Sequence, residues 1–400
     1  MSSACPEGFK LIEEGLAKIC IPDPELYRRS DGVFEPAWAP VFYNPAMITN
    51  RDITIVALRA LGRSISLAVD SMASTGVRSI RMLLECPEVK HVIANDIDED
   101  CVKIIEINAQ LNNVSDRMEI HRLDCNELLY KLTRERRRAD YVDIDPFGSP
   151  APFLLAAFNA VMRRGVVGVT ATDLAPLEGK YPRKLYRRYG IKGTKVLVSK
   201  SIAIRNLLAY MAKEAAKIDR VVKPLLAYWY RHYIRVYVEV DSGGLRASEA
   251  LERCIGTIAY CNYCGYGRIV AEEDEAHIEE LLRCPICGRQ MAVIRDTWIC
   301  RINDSEFTYQ CFKEAEQCTS ITLESKRIVL SVMCSSKVGD PLPIKISAIA
   351  KFLRRNMPKI STVIEKLNEI GYNAYRVLGT HDEIVTNAPY EEVLNIVRKI

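Results

Sequence analysis

Residues 64–81 read SISLAVDSMASTGVRSIR. The first half is a short, mostly apolar run of strand character; from Gly76 onward the apolar positions take helical spacing. A strand, a tight glycine turn and a helix in direct succession open a β-α unit. The free N–H groups of such a turn suit an anionic or carboxylate ligand. A dinucleotide fingerprint needs three glycines in register, and only Gly76 is present, so NAD is not the expected ligand.

The alternation continues toward the C-terminus. HVIANDID (91–98) reads as a strand and DCVKIIEINAQLNN (100–113) as a helix of period 3.6. RMEIHRLD (117–124) is a strand followed by the helix NELLYKLTRER (126–136). ADYVDID (139–145) and GVVGVTATD (165–173) are strands bracketing a helix, APFLLAAFNAVMRR (151–164). This rhythm predicts a parallel sheet covered on both faces. A long helix over 196–218 follows, then KPLLAYWYR (223–231) and YIRVYVEVDSG (233–243), close enough to form a hairpin. The expected fold class is α/β, with five parallel strands closed by an antiparallel pair.

Composition agrees. The chain has 400 residues, 48% of them hydrophobic and 26% charged, which is enough for two or three domains with a sizeable core. No apolar run nears the roughly 18–20 residues that cross a bilayer. The segment MSSACPEGFKLIEEGLAKICIP (1–22) lacks a basic-then-apolar leader. A cytoplasmic protein is expected, with no membrane partner and no evident obligate protein partner. A net charge of +4 does not by itself demand a nucleic acid.

In open α/β sheets ligands sit at the carboxyl ends of the strands. Here those ends carry the Gly76 turn, Asp96, the pair Asp124-Cys125, and Asp145. Asp96 suits the two hydroxyls of a ribose. Asp124 and the Cys125 N–H suit an adenine edge. Each acid taken singly could be a helix cap. Together they match the Rossmann-like S-adenosylmethionine-dependent methyltransferases.

The fourth end reads DIDPFGSP (143–150). Its Asp145-Pro146-Phe147-Gly148 resembles the [D/N/S]-P-P-[F/Y/W] signature of enzymes that methylate exocyclic amines. Such an amine delocalises its lone pair into the ring and is a poor nucleophile. A carboxylate accepting its N–H, helped by the Pro146 carbonyl, can aim the lone pair at the methyl sulfonium. Phe147 can stack on the base, a contact worth about 1–3 kcal/mol.

PVFYNPAMITNRD (40–52), Gly76-Val77-Arg78 with Arg81, ANDID (94–98), DIDPFGSP and GVTATDLAPL (168–177) together resemble the tRNA (guanine-N2)-dimethyltransferase family. The resemblance spans residues 36 to about 240, with PYEEV (389–393) also similar. It implies methylation of N2 of guanine 26 of tRNA, once and then twice, with S-adenosylmethionine as donor. By the same resemblance Arg51 and Arg81 contact the cofactor, Asp96 binds its ribose and Asp124-Cys125 its adenine. Phe42 and Phe147 sandwich the guanine, and Asp145 is the catalytic acceptor. Ala46 stands where many members carry a basic residue.

GKYPRKLYRRYGIKGTK (179–195) contains Lys180, Arg183, Lys184, Arg187, Arg188, Lys192 and Lys195, three interleaved tyrosines and no acid. Beside the fifth strand's end it is a candidate phosphate-binding surface. Cys261-x2-Cys264 and Cys284-x2-Cys287 have the spacing of a structural zinc site. Of the ten remaining cysteines most read as small buried apolar residues, with disulfides open for a hyperthermophilic source.

The expected organisation is a catalytic domain over 1–240, residues 1–60 contributing to its site, and a C-terminal α+β region over 241–400. The latter holds a zinc-ribbon insert at 255–300 and a winged-helix-like tail at 340–400. The competing functions are a nucleic-acid adenine-N6 methyltransferase and a non-catalytic RNA-binding protein on the same scaffold.

Overall fold

The computed structural model describes residues 5–270 and 282–400; the first four residues, and residues 271–281 of the expected insert, lie outside it. Among the described residues no helix is long and apolar enough to cross a membrane. The chain divides into two compact units. The first comprises Met1–Pro146, Pro152–Val169 and Gln310–Val329, and the second Phe147–Ala151, Thr170–Tyr309 and Leu330–Ile400. The expected boundary near residue 240 therefore falls inside the second unit.

The first unit opens with a hairpin, β1 (Phe9–Glu14) and β2 (Ala17–Pro22), and helix α1 (Ile48–Ala60). Its sheet is built from β3 (Ile65–Asp70), β4 (Val89–Asn95), β5 (Met118–His121), β6 (Ala139–Ile144) and β7 (Val161–Ala171). These lie parallel in the order β5-β4-β3-β6-β7. Helices α2 (Val77–Glu85), α3 (Glu99–Leu111), α4 (Cys125–Arg134) and α5 (Leu154–Ala160) connect them. The strand order reverses direction at β3, so the ligand crevice forms at the carboxyl ends of β3 and its neighbours. Central strands are buried on both faces: Ala68, Val69, Val92, Ile93, Val142 and Val167 have no exposed surface.

One expected element is shorter than its pattern. The helix over 151–164 stops at Ala160, and Val161 already pairs with Ala139. The register then shifts, so that Tyr141 faces Val166, and Arg164 adopts a positive φ of 62°. Pairing with β6 overrides the local helical pattern of VMRR.

The second unit contains α6 (Leu174–Leu177), α7 (Pro182–Tyr189), α8 (Ser199–Ala216) and the antiparallel pair β8 (Arg220–Tyr230) and β9 (Tyr233–Ser242). Arg235 of β9 donates to Thr170 Oγ1 at the end of β7 (2.9 Å). After α9 (Gly244–Cys254) come β10 (Ile255–Tyr260), β11 (Gly267–Val270) and β12 (Ala292–Trp298), in the order β11-β10-β12. The tail has β13 (Ile344–Lys345), two helices (Ile346–Phe352, Ile360–Glu369), β14 (Ala374–Arg376), β15 (Glu383–Thr386) and a last helix (Tyr390–Lys399). Its strand order is β13-β15-β14, a helix pair with a small β wing. Residues 338–344, which lead into the tail, are anchored. Asp340 accepts from Asn303 N (2.9 Å) and Nδ2 (2.8 Å), and its carbonyl accepts from buried Arg205 (2.6 Å).

The scattered cysteines are not all unpaired. Cys5–Cys20 and Cys254–Cys300 form disulfides, while Cys86, Cys101, Cys125, Cys311 and Cys318 are free and buried.

Candidate active site and four-cysteine centre

Asp145 follows β6 directly. Its side chain keeps 18% exposure, and Arg78 Nη2 bonds its Oδ2. Arg78 Nη1 donates to Asn50 Oδ1 (3.0 Å) and Thr54 Oγ1 (2.7 Å), and its Nε lies 3.5 Å from Asp143 Oδ1. Asp143 has no exposed surface and accepts from the Tyr141 hydroxyl. Asp70, at the end of β3, is held by Ser79 Oγ (2.8 Å). Burial pushes the Asp70 carboxyl up to about 7; Arg78 opposes this, and the Asp143 and Asp145 charges add to it. Asp145 is not a helix cap, because its carboxylate is turned to a buried arginine.

The turn between β3 and α2 gathers the next group. Gly76 has φ +74°, and a Cβ there would lie 3.2 Å from the Ile105 side chain. Ser74 donates its N–H to Asp96 Oδ2 (2.8 Å) and its hydroxyl to the Phe42 carbonyl. That seryl residue thereby ties half-buried Phe42 to the strand end that carries Asp96. Asp98, not Asp96, caps α3, accepting from Asp100 N (2.8 Å). Burial raises Asp96 against hydrogen bonds from the Asp98 and Ser74 amides. Asp124 does cap α4, through Asn126 N (2.8 Å) and Glu127 N (3.3 Å), and it remains exposed. Cys125 is buried, and burial pushes its thiol up to about 12.

Arg51 and Arg81 belong to a different constellation. Arg51 grips Glu14 with Nε and Nη2 (2.6 Å each) and lies 5.2 Å from the centre of the Tyr43 ring. Arg81, fully buried, meets Glu14 (3.0 Å), Asp52 (2.8 Å) and Glu85 (2.7 Å). The second Asp52 oxygen accepts from Thr322 N and Oγ1 (2.9 Å each) and Ser325 Oγ (2.7 Å). Burial would raise Glu14, but the Arg51 and Arg81 charges and the bonds from Arg51 and Tyr43 hold it down at about 2. Cofactor contact by fully buried Arg81, whose three guanidinium nitrogens all face these acids, requires exchange of these partners.

Sequence reading left Arg78, Asn50, Ser74 and Glu14 out of the site. Arg78 carried a usable signal, since it stands two residues after the Gly76 turn. Glu14 carried none, because only folding brings the β1 end to α2.

In the second unit Phe147 is 77% exposed, while Pro146 before it is buried. An open cleft of about 480 Å³ is lined by Lys180, Tyr181, Pro182, Arg183, Lys184 and Arg187. Arg183 and Arg187 are exposed; Lys180 pairs with Glu178 (3.1 Å), and Lys192 lies 5.7 Å from the Tyr186 ring centre. Arg188, with 34% of its side chain exposed, pairs with Asp173 (2.6 Å). Tyr189 is fully buried.

The four insert cysteines converge, with all four Sγ atoms within 4.8 Å of one another. Cys261–Cys287 and Cys264–Cys284 are each 3.5 Å apart, far beyond a disulfide bond. Gly265 and Gly288 take positive φ (83° and 71°) and donate to the Cys261 (2.9 Å) and Cys284 (2.8 Å) carbonyls. Two such knuckles fit a tetrahedral ion with metal–sulfur distances of about 2.3 Å. Cys300 cannot be a member, being bonded to Cys254.

A parallel sheet reversing at its first strand, with acids at successive carboxyl ends and an Asp-Pro-Phe-Gly end beside a buried arginine, defines a Rossmann-like methyltransferase. The family model of N2,N2-dimethylguanosine tRNA methyltransferase matches residues 15–398, and the chain belongs to that family. It is similar to tRNA (guanine(26)-N(2))-dimethyltransferase of Aeropyrum pernix, 37% identical over 410 residues, covering 99% of this chain and 98% of that one. The protein of the same name from Metallosphaera sedula is 34% identical over 363 residues, covering 90% and 91%. Among solved structures, Trm1 from Pyrococcus horikoshii in complex with S-adenosyl-L-methionine aligns with a TM-score of 0.79 at 30% identity, covering 97% and 99%.

Proposed function

We infer that this chain transfers methyl groups from S-adenosylmethionine to N2 of guanine 26 in tRNA, giving N2-methyl- and then N2,N2-dimethylguanosine. The observation that carries the reading is Asp145, held through one oxygen by Arg78 at the end of β6, immediately before Pro146 and exposed Phe147. Its Oδ1 accepts the N–H of the guanine amine and turns the nitrogen lone pair toward the methyl carbon. The N–C bond forms as the S–C bond breaks; the amine proton passes to Asp145, and S-adenosylhomocysteine leaves. Phe147 and Phe42 stack the base, and the Pro146 carbonyl accepts the second amine hydrogen.

The turn at Gly76, Asp96, and Asp124 with the Cys125 N–H supply the cofactor contacts. Arg51 and Arg81 serve that site by holding residues 9–22 against α1 and α2 through Glu14. Lys180, Arg183, Lys184 and Arg187 along the cleft, together with Lys192, bind tRNA phosphates. Cys261, Cys264, Cys284 and Cys287 bind a structural zinc ion, whose closed four-thiolate set leaves no position for substrate. A tRNA substrate fits the expected cytoplasmic location. The catalytic domain over 1–240 and the C-terminal region over 241–400 remain our functional division.

The test is nucleoside mass spectrometry of unmodified tRNA transcript incubated with the protein and S-adenosylmethionine. N2,N2-dimethylguanosine should appear, and should vanish when guanine 26 is replaced. Cofactor binding without any methylated nucleoside would overturn the substrate assignment.

A further inference from the structure

The loop that carries Phe147 is clamped from one side by a set of groups that the chemistry above does not use. Gly148 N donates to Thr172 Oγ1 (2.8 Å), and Gly148 O accepts from Thr172 N (2.9 Å) and Asp173 N (3.2 Å). The next residue, Ser149, places its Oγ 2.6 Å from the Tyr189 hydroxyl. Tyr189 donates to Asp173, with both carboxylate oxygens 2.8 Å away, so the Ser149 hydroxyl donates to Tyr189. Arg188 closes the set at Asp173 Oδ2 (2.6 Å). The Tyr189 ring packs edge-on against Tyr210 at 5.3 Å.

Arg188 and Tyr189 end α7, whose other basic residues line the cleft. One face of this helix is open to a polyanion, while its last two residues, Arg188 and Tyr189, are bonded to the largely buried Asp173 carboxylate. Arg188 keeps 34% of its side chain exposed yet commits its guanidinium to Asp173, and core packing alone would not require a tyrosine hydroxyl aimed at an acid.

We propose that Tyr189, Asp173 and Arg188 are positioning residues that hold the 147–149 loop, and with it the base-stacking ring of Phe147, through Ser149 and Gly148. The proposal rests on the base-methylating reading for Phe147. It removes Arg188 from the phosphate-binding set and gives α7 a second task. A displaced aromatic ring misaims the amine, and a misplacement of about 1 Å can cost roughly 100-fold in rate.

The test compares full-length Tyr189→Phe, Asp173→Asn and Arg188→Gln with the wild type. Tyr189→Phe keeps the ring contact with Tyr210 and removes only the hydroxyl. It should lower kcat by about 10- to 100-fold, with S-adenosylmethionine affinity and KM for tRNA transcript unchanged. Amide hydrogen exchange at Gly148, Thr172 and Asp173 should quicken. Asp173→Asn, which keeps the shape but removes the charge and turns one acceptor oxygen into an NH2 donor facing Tyr189 and Arg188, should show the same split. Arg188→Gln should lower kcat without changing the salt dependence of tRNA binding; a flatter salt slope with kcat intact would make it a phosphate contact and overturn its part. Unchanged exchange in Tyr189→Phe would overturn the clamp, and faster exchange with unchanged kcat would overturn its catalytic role. The exchange arm reads the clamp even if the substrate assignment fails.

Discussion

Arg78 and Arg81 are one turn apart on the same helix, both buried, both facing carboxylates, and they end in opposite kinds of network. Around Arg81 the circuit is closed: Glu14, Asp52 and Glu85 are buried, and their oxygens are also taken up by Arg51, Tyr43, Thr322, Ser325 and Ser320. Around Arg78 the circuit ends on Asp145, which retains solvent exposure and leads straight into Pro146-Phe147. Closed ion networks cost desolvation that only complete pairing offsets, and their use is to fix geometry. An open end is where a substrate group can become the missing partner.

The sharpest way to break this contrast is at Asp145. Asp145→Ala should reduce methyl transfer by about 100- to 10,000-fold, measured as initial rate on tRNA transcript, while cofactor affinity by equilibrium binding stays near wild type. Loss of cofactor binding instead would move Asp145 out of the acceptor role. Next is Arg81→Met, which leaves three buried acids short of a cation. It should cost about 3–5 kcal/mol in denaturant unfolding, the usual penalty for breaking a buried pair. If stability held, the closed-network reading would be wrong.

A smaller effect has a defined sign with pH. Glu14 is held at about 2, below its usual 4.5, so its contribution is present above the unfolded value and is lost as pH falls from about 4.5 toward 2. Asp70 behaves oppositely: raised to about 7 from 3.8, its contribution is present at low pH and is lost as pH rises between about 4 and 7. Glu14→Gln should therefore flatten the acid limb of a stability–pH profile, and Asp70→Asn the limb between pH 4 and 7. The same slope in variant and wild type would show that other groups set that limb.

The smallest effect on chemistry is expected from the four-cysteine centre. Tyr390 Oη donates to the Cys264 carbonyl (2.5 Å), and Tyr266 packs edge-on against Tyr390 at 5.3 Å. Gly265 lies close to Ala348, with a Cβ there only 3.2 Å from the alanine methyl. Chelation should therefore loosen residues 255–270 and 282–300 together with the tail from Ile344, read as faster proteolysis there. Cofactor binding should survive. A metal analysis that found no zinc would end the reading of that centre.

The α/β alternation, the Gly76 turn, the strand-end acids, the Asp-Pro-Phe-Gly loop and the paired cysteines were all legible in the chain itself. Each is a local pattern: the residues that make the chemistry lie within a few positions of the strand or turn that presents them. The roles of Asp96 and Asp124 as caps stayed open at that level, because a cap and a ligand group ask for the same residue type at the same place. Tertiary structure separated them, assigning the α3 cap to Asp98 and leaving the α4 cap on Asp124. It also decided that Arg51 and Arg81 face Glu14, that Arg78 faces Asp145, that Arg188 pairs with Asp173, and that four scattered cysteines pair. Those outcomes depend on side chains distant in sequence, Glu14 being 67 positions from Arg81 and Arg78 being 67 from Asp145. Charge and length tell what an arginine can bind, and only the packed chain tells which carboxylate reaches it first.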